Sequence, residues 1–292
     1  MYELIKVTDK CYYMDCPSKV GFYKTSENEV CLIDSGSDKD AAKKVLRHIE
    51  ANGWKLKAIY CTHSHADHIG GNQYLQTQTG CEIYAAGIEK AYTEFPILEP
   101  TTLFGSFPPE GLKNKFLLAK DSVVKPLTDD LLPEGLEMIP LHGHTQDMVG
   151  FRSDDGVIFL GDCLASAESL DKYKITFIYD IETYLNTLEY VRTLDAKRYI
   201  PSHAAETDSI AELAQLNIDK TLEIAEYIRN IIVTPKTFDE IMTDIFNGLE
   251  IRMTIQQFYL IGSTVRSYLI YLVNKEKAAF TFEDNKMLWK AL

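Results

Sequence analysis

The chain lacks any apolar run near the roughly 18 residues that a membrane span needs. Its N-terminus, "MYELIKVTDK", also lacks the basic start and apolar stretch of an export signal. Together these absences predict a cytoplasmic protein without a membrane partner. Cysteine is sparse, at Cys11, Cys16, Cys31, Cys61, Cys81 and Cys163. Six would allow disulfides, but without an export signal and in a chain of 292 residues reduced thiols are expected. Positive charge is short as well, with 30 Lys and Arg against 43 Asp and Glu and a formal net charge of −13. Phosphate binding draws on clustered Lys and Arg, so nucleic acid is not the expected partner, although a local basic patch or bound cations can offset an acidic total. No segment repeats at a period of roughly 20–50 residues, which excludes a solenoid. Histidine is rare too, with seven in the whole chain.

The length suffices for a full core, as one large domain or a large one with an appendage. Up to about residue 205, short apolar strands alternate with helical patterns. "YYMDCP", "VGFYKT" and "VCLIDSG" read as an antiparallel start. "DKDAAKKVLRHIEANG" has helical spacing and closes on Asn52 and Gly53. The proline-rich, Phe-bearing stretch from Phe95 to Pro126 reads either as a lid or pocket wall or as a packed excursion. After residue 205 the pattern turns helical and ends in two short strands around Glu283, Asp284 and Asn285. The expected division is therefore a catalytic domain over 1–205 and a small, mainly helical, winged-helix-like domain over 206–292.

Three of the seven histidines fall in "CTHSHADHIGG", beside an aspartate. Three buried imidazoles and a carboxylate are hard to satisfy without a metal. Four segments, "AIYCTHSHADH", "EMIPLHGH", "VIFLGD" and "RYIPSH", are each an apolar strand ending in a candidate ligand. Strand ends converge at one sheet edge, so His63, His65, Asp67, His68, His144, Asp162 and His203 can meet there. Imidazole and carboxylate suit zinc, iron or manganese. Seven ligands exceed one tetrahedral zinc, but a pair of ions about 3.5–4 Å apart, bridged by a carboxylate and a hydroxide, would use all of them. His48 on its helix and His142 at the rim are expected to stay outside the cluster.

These motifs resemble the metallo-β-lactamase-fold superfamily over roughly residues 1–205. "THSHADHIGG" carries the HxHxDH signature, "HGHT" the second histidine motif, "GD" at Gly161 and Asp162 the bridging aspartate, and "SH" the last histidine. The resemblance implies an α+β, αββα sandwich. It also implies that His63, His65 and His144 hold one divalent metal, Asp67, His68 and His203 the second, and that Asp162 bridges them. Asp34 in "LIDSG" matches a partner that orients a ligand from behind. Cys163, next to the bridging position, is then a buried neighbour. An aspartate at the bridging position and the absent export signal separate the chain from zinc β-lactamases. His65 and the absent flavin domain separate it from flavodiiron proteins. The short span from Asp162 to His203 separates it from RNA-processing members with a large insert.

The resemblance implies hydrolysis by a hydroxide that bridges two divalent metals, zinc first among them, with Asp67 orienting it or collecting a proton. Glyoxalase II has similar metal motifs, but its glutathione-binding pattern is not found between Asp162 and His203. A small ester, thioester or lactone is the expected substrate, and Lys172, Tyr173, Lys174 and Tyr179 are the candidates to meet it. An endoribonuclease or phosphodiesterase and a mononuclear-iron sulfur dioxygenase are the alternatives. From Pro235 onward acidic and basic residues balance, and the helical pattern from Thr254 to Val273 carries Arg266 as its one base. Nucleic-acid readers present several Lys or Arg. That helix is therefore expected to pack on the catalytic domain or on another subunit, as in a homodimer.

Overall fold

Runs rich in Val, Ile, Tyr and Phe, punctuated by turn residues, become strands because branched and aromatic side chains pack well on a pleated surface. The computed structural model describes residues 2–292. One sheet holds seven strands in chain order: β1 (Glu3–Lys6), β2 (Cys11–Asp15), β3 (Val20–Lys24), β4 (Glu29–Ile33), β5 (Lys55–Tyr60), β6 (Glu82–Ala85) and β7 (Lys125–Pro126). The first four form an antiparallel meander, and β4 to β7 run parallel. Parallel neighbours need crossovers. Helices supply them: α1 (Lys39–Ala51), then α2 (Ala66–Ile69) and α3 (Asn72–Thr79), then α4 (Glu89–Glu94) and α5 (Leu98–Phe104). The second sheet has β8 (Leu136–Pro140), β9 (Val149–Ser153), β10 (Val157–Ala165) and β11 (Arg198–His203), in the order β11-β10-β9-β8. Between β10 and β11 lie α6 (Ala167–Tyr173) and α7 (Ile181–Arg192).

The two sheets face each other across a core that includes Tyr60, Tyr84, Phe151, Phe159 and Ile200. Tyr60 stacks on Tyr84 with centroids 5.5 Å apart, and its hydroxyl donates to Leu131 O at 2.9 Å. Outside the first sheet, α1 buries Ala41, Ala42, Val45 and Ile49, one face at helical spacing. Asp38 caps this helix, its Oδ1 accepting from Asp40 N at 2.9 Å and Ala41 N at 3.0 Å. Helices α7 and α8 (Ala211–Ile231) cover the outer face of the second sheet. The expected αββα sandwich is present, in an α+β chain.

Two local features aim ligands at the strand ends. Gly70 and Gly71 let the turn after α2 lie directly on the loop that follows β4. A Cβ on either would collide with Ser37 O or Ser35 O. The packed loop is tied by Ser35 N, which donates to His68 O at 2.8 Å. In β10 the pairing register shifts on both sides of Gly161, whose φ is +54°. Such a bulge re-aims the next side chain, here Asp162.

The tail continues with α9 (Phe238–Gly248), α10 (Ile255–Asn274) and a hairpin of β12 (Ala278–Glu283) and β13 (Lys286–Ala291). The expected order of helices then hairpin is therefore found. α9 opens with a capping box of Thr237 and Glu240. Buried side chains of α8, α9, α10 and β13 join those of the second sheet in one continuous core, from Ile139 to Trp289. Within the stretch from Phe95 to Pro126, α5 meets α10 through Phe104 and Tyr259, centroids 5.1 Å apart, and Gln256 Nε2 donates to Gly111 O at 3.2 Å. Phe107 and Phe116 remain exposed. No helix among the described residues is long and apolar enough to cross a membrane.

A shared core predicts shared unfolding. Leu269, fully buried on α10, should cost about 2–5 kcal/mol when changed to Ala, lowering a single thermal transition for the whole chain. Two transitions, with that of residues 1–205 unmoved, would instead support a division at 205/206.

Candidate metal centre

β5 ends at Tyr60, and the chain turns through Thr62 into α2. Three imidazoles and Asp67 therefore leave the sheet within one turn. His144 follows β8, Asp162 lies on the bulged β10, and His203 closes β11. The structure brings all seven expected side chains together. One ligand atom each from His63, His65 and His144 forms a first group, and Asp67, His68, Asp162 and His203 form a second, with the atoms of each group within 4.8 Å of one another.

In the first group His65 Nδ1 is 3.2 Å from His63 Nε2 and 3.0 Å from His144 Nε2. A tetrahedral zinc with bonds of about 2.0–2.1 Å sets its ligands about 3.3–3.4 Å apart, so the trio is spaced for an ion. In the second, His203 Nε2 is 3.2 Å from Asp67 Oδ2 and 3.1 Å from Asp162 Oδ2, and His68 Nε2 is 3.1 Å from Asp162 Oδ1. Asp162 Oδ2 also lies 3.7 Å from His144 Nε2, which puts this carboxylate between the groups. Asp162 Oδ1 is buried and makes no hydrogen bond. A buried carboxylate oxygen without a well-formed hydrogen bond is costly, and a cation there, a charged His68 or a metal ion in its place, removes the cost. The donor set fits divalent metal ions.

Four of the five imidazoles are fixed by the nitrogen that faces away from the cluster. Asp34, 1% exposed, has Oδ2 at 2.7 Å from His68 Nδ1. Its carboxylate also accepts from Thr62 N at 2.7 Å and Thr62 Oγ1 at 2.8 Å. Thr62 Oγ1 in turn lies 3.0 Å from His63 Nδ1. His144 Nδ1 meets Phe177 O at 3.0 Å, and His203 Nδ1 meets Pro17 O at 2.7 Å. Such outer bonds fix ring orientation and tautomer. Asp34 has φ +62°, a left-handed backbone that is uncommon outside glycine, asparagine and aspartate.

Burial and the two carboxylates together set the groups apart electrically. It holds His65 and His144 down to about 4 and His63 well below its ordinary range, so this trio is neutral at pH 7. Burial also opposes charge on His68 and His203, but the carboxylates of Asp162 and Asp67 outweigh it. His203 is pushed up to about 10 and His68 well above its ordinary value. Burial opposes charge on Asp67 as well, yet these histidines hold its carboxyl down to about 2.

The remaining expectations sort plainly. His142 lies outside both groups, on a groove of about 430 Å³ with Asp129 and Asp147. His48 bonds Tyr2 O from α1. Cys163 is buried, its thiol pushed up by burial, and belongs to neither group. Lys174 pairs with Asp171 at 2.8 Å, and Lys172 donates to the Tyr173 hydroxyl at 3.2 Å. Tyr173 and Tyr179 are exposed. The side chain from that segment that meets the cluster is Phe177, which sequence reasoning missed; its ring centroid is 5.1 Å from His65 and 5.8 Å from His144. Tyr179 contributes its backbone, with N donating to Gly143 O at 3.0 Å. Also missed were Ser18 Oγ, 3.1 Å from His68 Nε2, and two acids beneath the ligand loop. Glu89 accepts from Ser64 N at 3.0 Å, and Glu99 lies near Ala66 and Asp67. Burial raises the Glu99 carboxyl well above its usual range, helped by Asp67 and Glu89.

A model of the metallo-beta-lactamase superfamily matches residues 13–203. The chain is similar to a hydroxyacylglutathione hydrolase of Methylococcus capsulatus, 30% identical over 128 residues, which are 44% of this chain and 41% of that one. It is also similar to a hydroxyacylglutathione hydrolase of Haemophilus ducreyi, 27% identical over 176 residues, 60% of this chain and 61% of that one. The chain thus spans about two-fifths to three-fifths of the length of these curated relatives. A solved beta-lactamase domain protein from Burkholderia ambifaria has the same fold, with a TM-score of 0.74 at 15% identity over 99% of this chain and 94% of that one. A metallo-beta-lactamase family protein from Thermus thermophilus gives 0.70 at 17% identity over 99% and 98%. Both fold matches extend through the helical tail.

The charge states make the two groups load differently. His63, His65 and His144 carry no protons to displace above about pH 5, whereas His68 and His203 must each lose one. In zinc titrations between about pH 6 and 8 the first equivalent should keep its affinity. The second should tighten with rising pH, by about one order of magnitude per unit from His203 alone and more steeply where His68 also gives up its proton. Equal pH dependence of both equivalents would contradict this charge assignment.

Proposed function

The chain belongs to the metallo-beta-lactamase superfamily, and on that premise we propose that it is a hydrolase with a dinuclear metal centre that cleaves a small thioester or related ester. The observation that carries this reading is the Asp162 carboxylate, set between a neutral three-histidine group and an Asp-His-His group. His63, His65 and His144 would hold one ion, Asp67, His68 and His203 the other, and Asp162 both. Zinc suits the donor set. The ions, when bound, supply an activated water at neutral pH and polarise the substrate's carbonyl oxygen.

This chain's own residues do the rest. The Asp67 side chain is 34% exposed, so a carboxylate at the second group faces the solvent side, where it can orient a water and take a proton. Asp34 keeps the Nε2 of His68 turned to the cluster. Phe177 packs against the rings of His65 and His144 and limits their movement. The match to hydroxyacylglutathione hydrolases supports a thioester over other acyl groups. The glutathione-binding pattern not found between Asp162 and His203 leaves the thiol half of the substrate open.

One contact argues against the nuclease alternative. Arg266, the one base on α10, lies with its guanidinium carbon 3.9 Å from the Phe238 ring centroid and donates to Gly262 O at 3.2 Å. It is engaged inside the fold rather than presented to phosphates. Activity on a panel of an S-acyl thioester, a lactone, a phosphodiester and single-stranded RNA tests the reading. Hydrolysis of RNA or the phosphodiester, with none of the thioester, would overturn it.

Two substitutions separate the roles. Asp162→Ala should lower the metal content from about two ions per chain to one or fewer; a variant with both ions and full activity would remove Asp162 as the bridge. Asp67→Asn keeps shape and one oxygen but removes the charge. It should stay folded with at least one ion and lose about two orders of magnitude or more in turnover. Wild-type turnover in that variant would exclude Asp67 from the chemistry.

A further inference from the structure

Glu89 opens α4 with 1% of its surface exposed, a rare position for a glutamate unless its oxygens are satisfied. Here both are. Oε2 accepts from Ser64 N at 3.0 Å and from Ser64 Oγ at 2.5 Å, and Oε1 accepts from Asp147 N at 3.2 Å. Asp147 closes the link, its Oδ2 accepting from the N–H of Ile88 at 2.7 Å. Ser64 stands between His63 and His65, and Asp147 lies three residues beyond His144. The first loop leaves β5 of one sheet and the second leaves β8 of the other. One buried carboxylate from a third element therefore joins the two loops that must converge for three imidazoles to meet.

We propose that Glu89 is the positioning residue of the first metal group, setting the distance between the His63–His65 loop and the His144 loop before an ion arrives. The contact that depends on it is His65 Nδ1 to His144 Nε2, 3.0 Å across the gap between sheets. Ligand atoms must sit within about 0.5 Å of their working places to bind well. The His144 loop has further ties: Phe177 O and Tyr179 N hold it to the α6–α7 connection, and Val149 N donates to Thr62 O at 2.9 Å where β9 begins, five residues past His144; Glu89 is the side chain that joins the two loops nearer the imidazoles, through Ser64 and Asp147. Glu89 touches neither substrate nor metal and acts through the backbone of the ligand loops. The inference rests on the reading that His63, His65 and His144 share an ion.

The test is zinc affinity, by competition with a chromophoric chelator, together with thermal unfolding of the metal-free protein. It is applied to wild type, Glu89→Gln, Ser64→Ala and the control Val45→Ala. Gln keeps the size but replaces one acceptor oxygen with a donor, so one of the two backbone N–H groups, Ser64 or Asp147, loses its acceptor. Glu89→Gln should weaken the first zinc equivalent about 10- to 100-fold. Ser64→Ala, which keeps the bond from its backbone N–H, should weaken it less. Val45→Ala opens the core under α1 and should lower the melting temperature at wild-type zinc affinity. Wild-type zinc affinity in Glu89→Gln overturns the proposal, as does an equal loss of affinity in Val45→Ala. If Glu89→Gln does not fold, Ser64→Ala decides alone, and unchanged affinity there overturns it. A wild-type protein with no zinc at the three histidines overturns the dinuclear reading beneath it.

Discussion

Seven imidazoles and carboxylates crowded into one small volume must be held there by bonds on their far sides. Neutral rings at 3.0–3.2 Å from one another gain little by themselves, and Asp162 Oδ1 is left without a hydrogen bond. The molecule meets this constraint by giving the ligands anchors behind them. Asp34 stands behind His68 and Thr62, Thr62 behind His63, Phe177 O behind His144 and Pro17 O behind His203. Much of the fold around the edge exists to place those anchors.

That requirement explains features which look unrelated along the chain. The hairpin between β2 and β3 carries Pro17 and Ser18 to the second group. The segment between α6 and α7 carries Phe177 to the first, and α10 supports that segment, since Thr264 Oγ1 accepts from Ile178 N and Ser267 Oγ from Ile181 N, both at 3.1 Å. Asn217 on α8 exchanges hydrogen bonds with both backbone groups of Ala165 at the end of β10, three residues past Asp162. The helical tail thus braces two of the elements that bear or anchor ligands. Its continuous core with the second sheet is the packing counterpart of those polar ties.

Much of the centre was legible because its ligands sit where apolar strands stop. "AIYCTHSHADH" and "RYIPSH" announce both the strand and the group it delivers, and the histidine spacing is itself informative. The α+β sandwich followed from the same pattern and from the resemblance that the motifs carry. The anchors were harder to see. A backbone carbonyl such as Phe177 O leaves no mark in a sequence. Glu89 and Glu99 sit on short helices among other acids, where a surface position is the ordinary expectation. The substrate candidates Lys172, Tyr173, Lys174 and Tyr179 were drawn from the segment between Asp162 and His203 by side-chain type. What the segment gives the cluster is a ring at Phe177 and backbone bonds at Phe177 and Tyr179. The shared core of the tail was invisible too, because helical spacing marks an apolar face without saying what covers it.

The central claim is that one carboxylate, Asp162, joins two metal positions at this sheet edge. Anomalous scattering from crystals of the zinc-loaded protein, recorded on either side of the zinc absorption edge, tests it most directly. The account predicts two peaks about 3.5–4 Å apart, one among His63, His65 and His144, the other among Asp67, His68 and His203, with Asp162 between them. A single peak, or two peaks with Asp162 bound to only one, would contradict it.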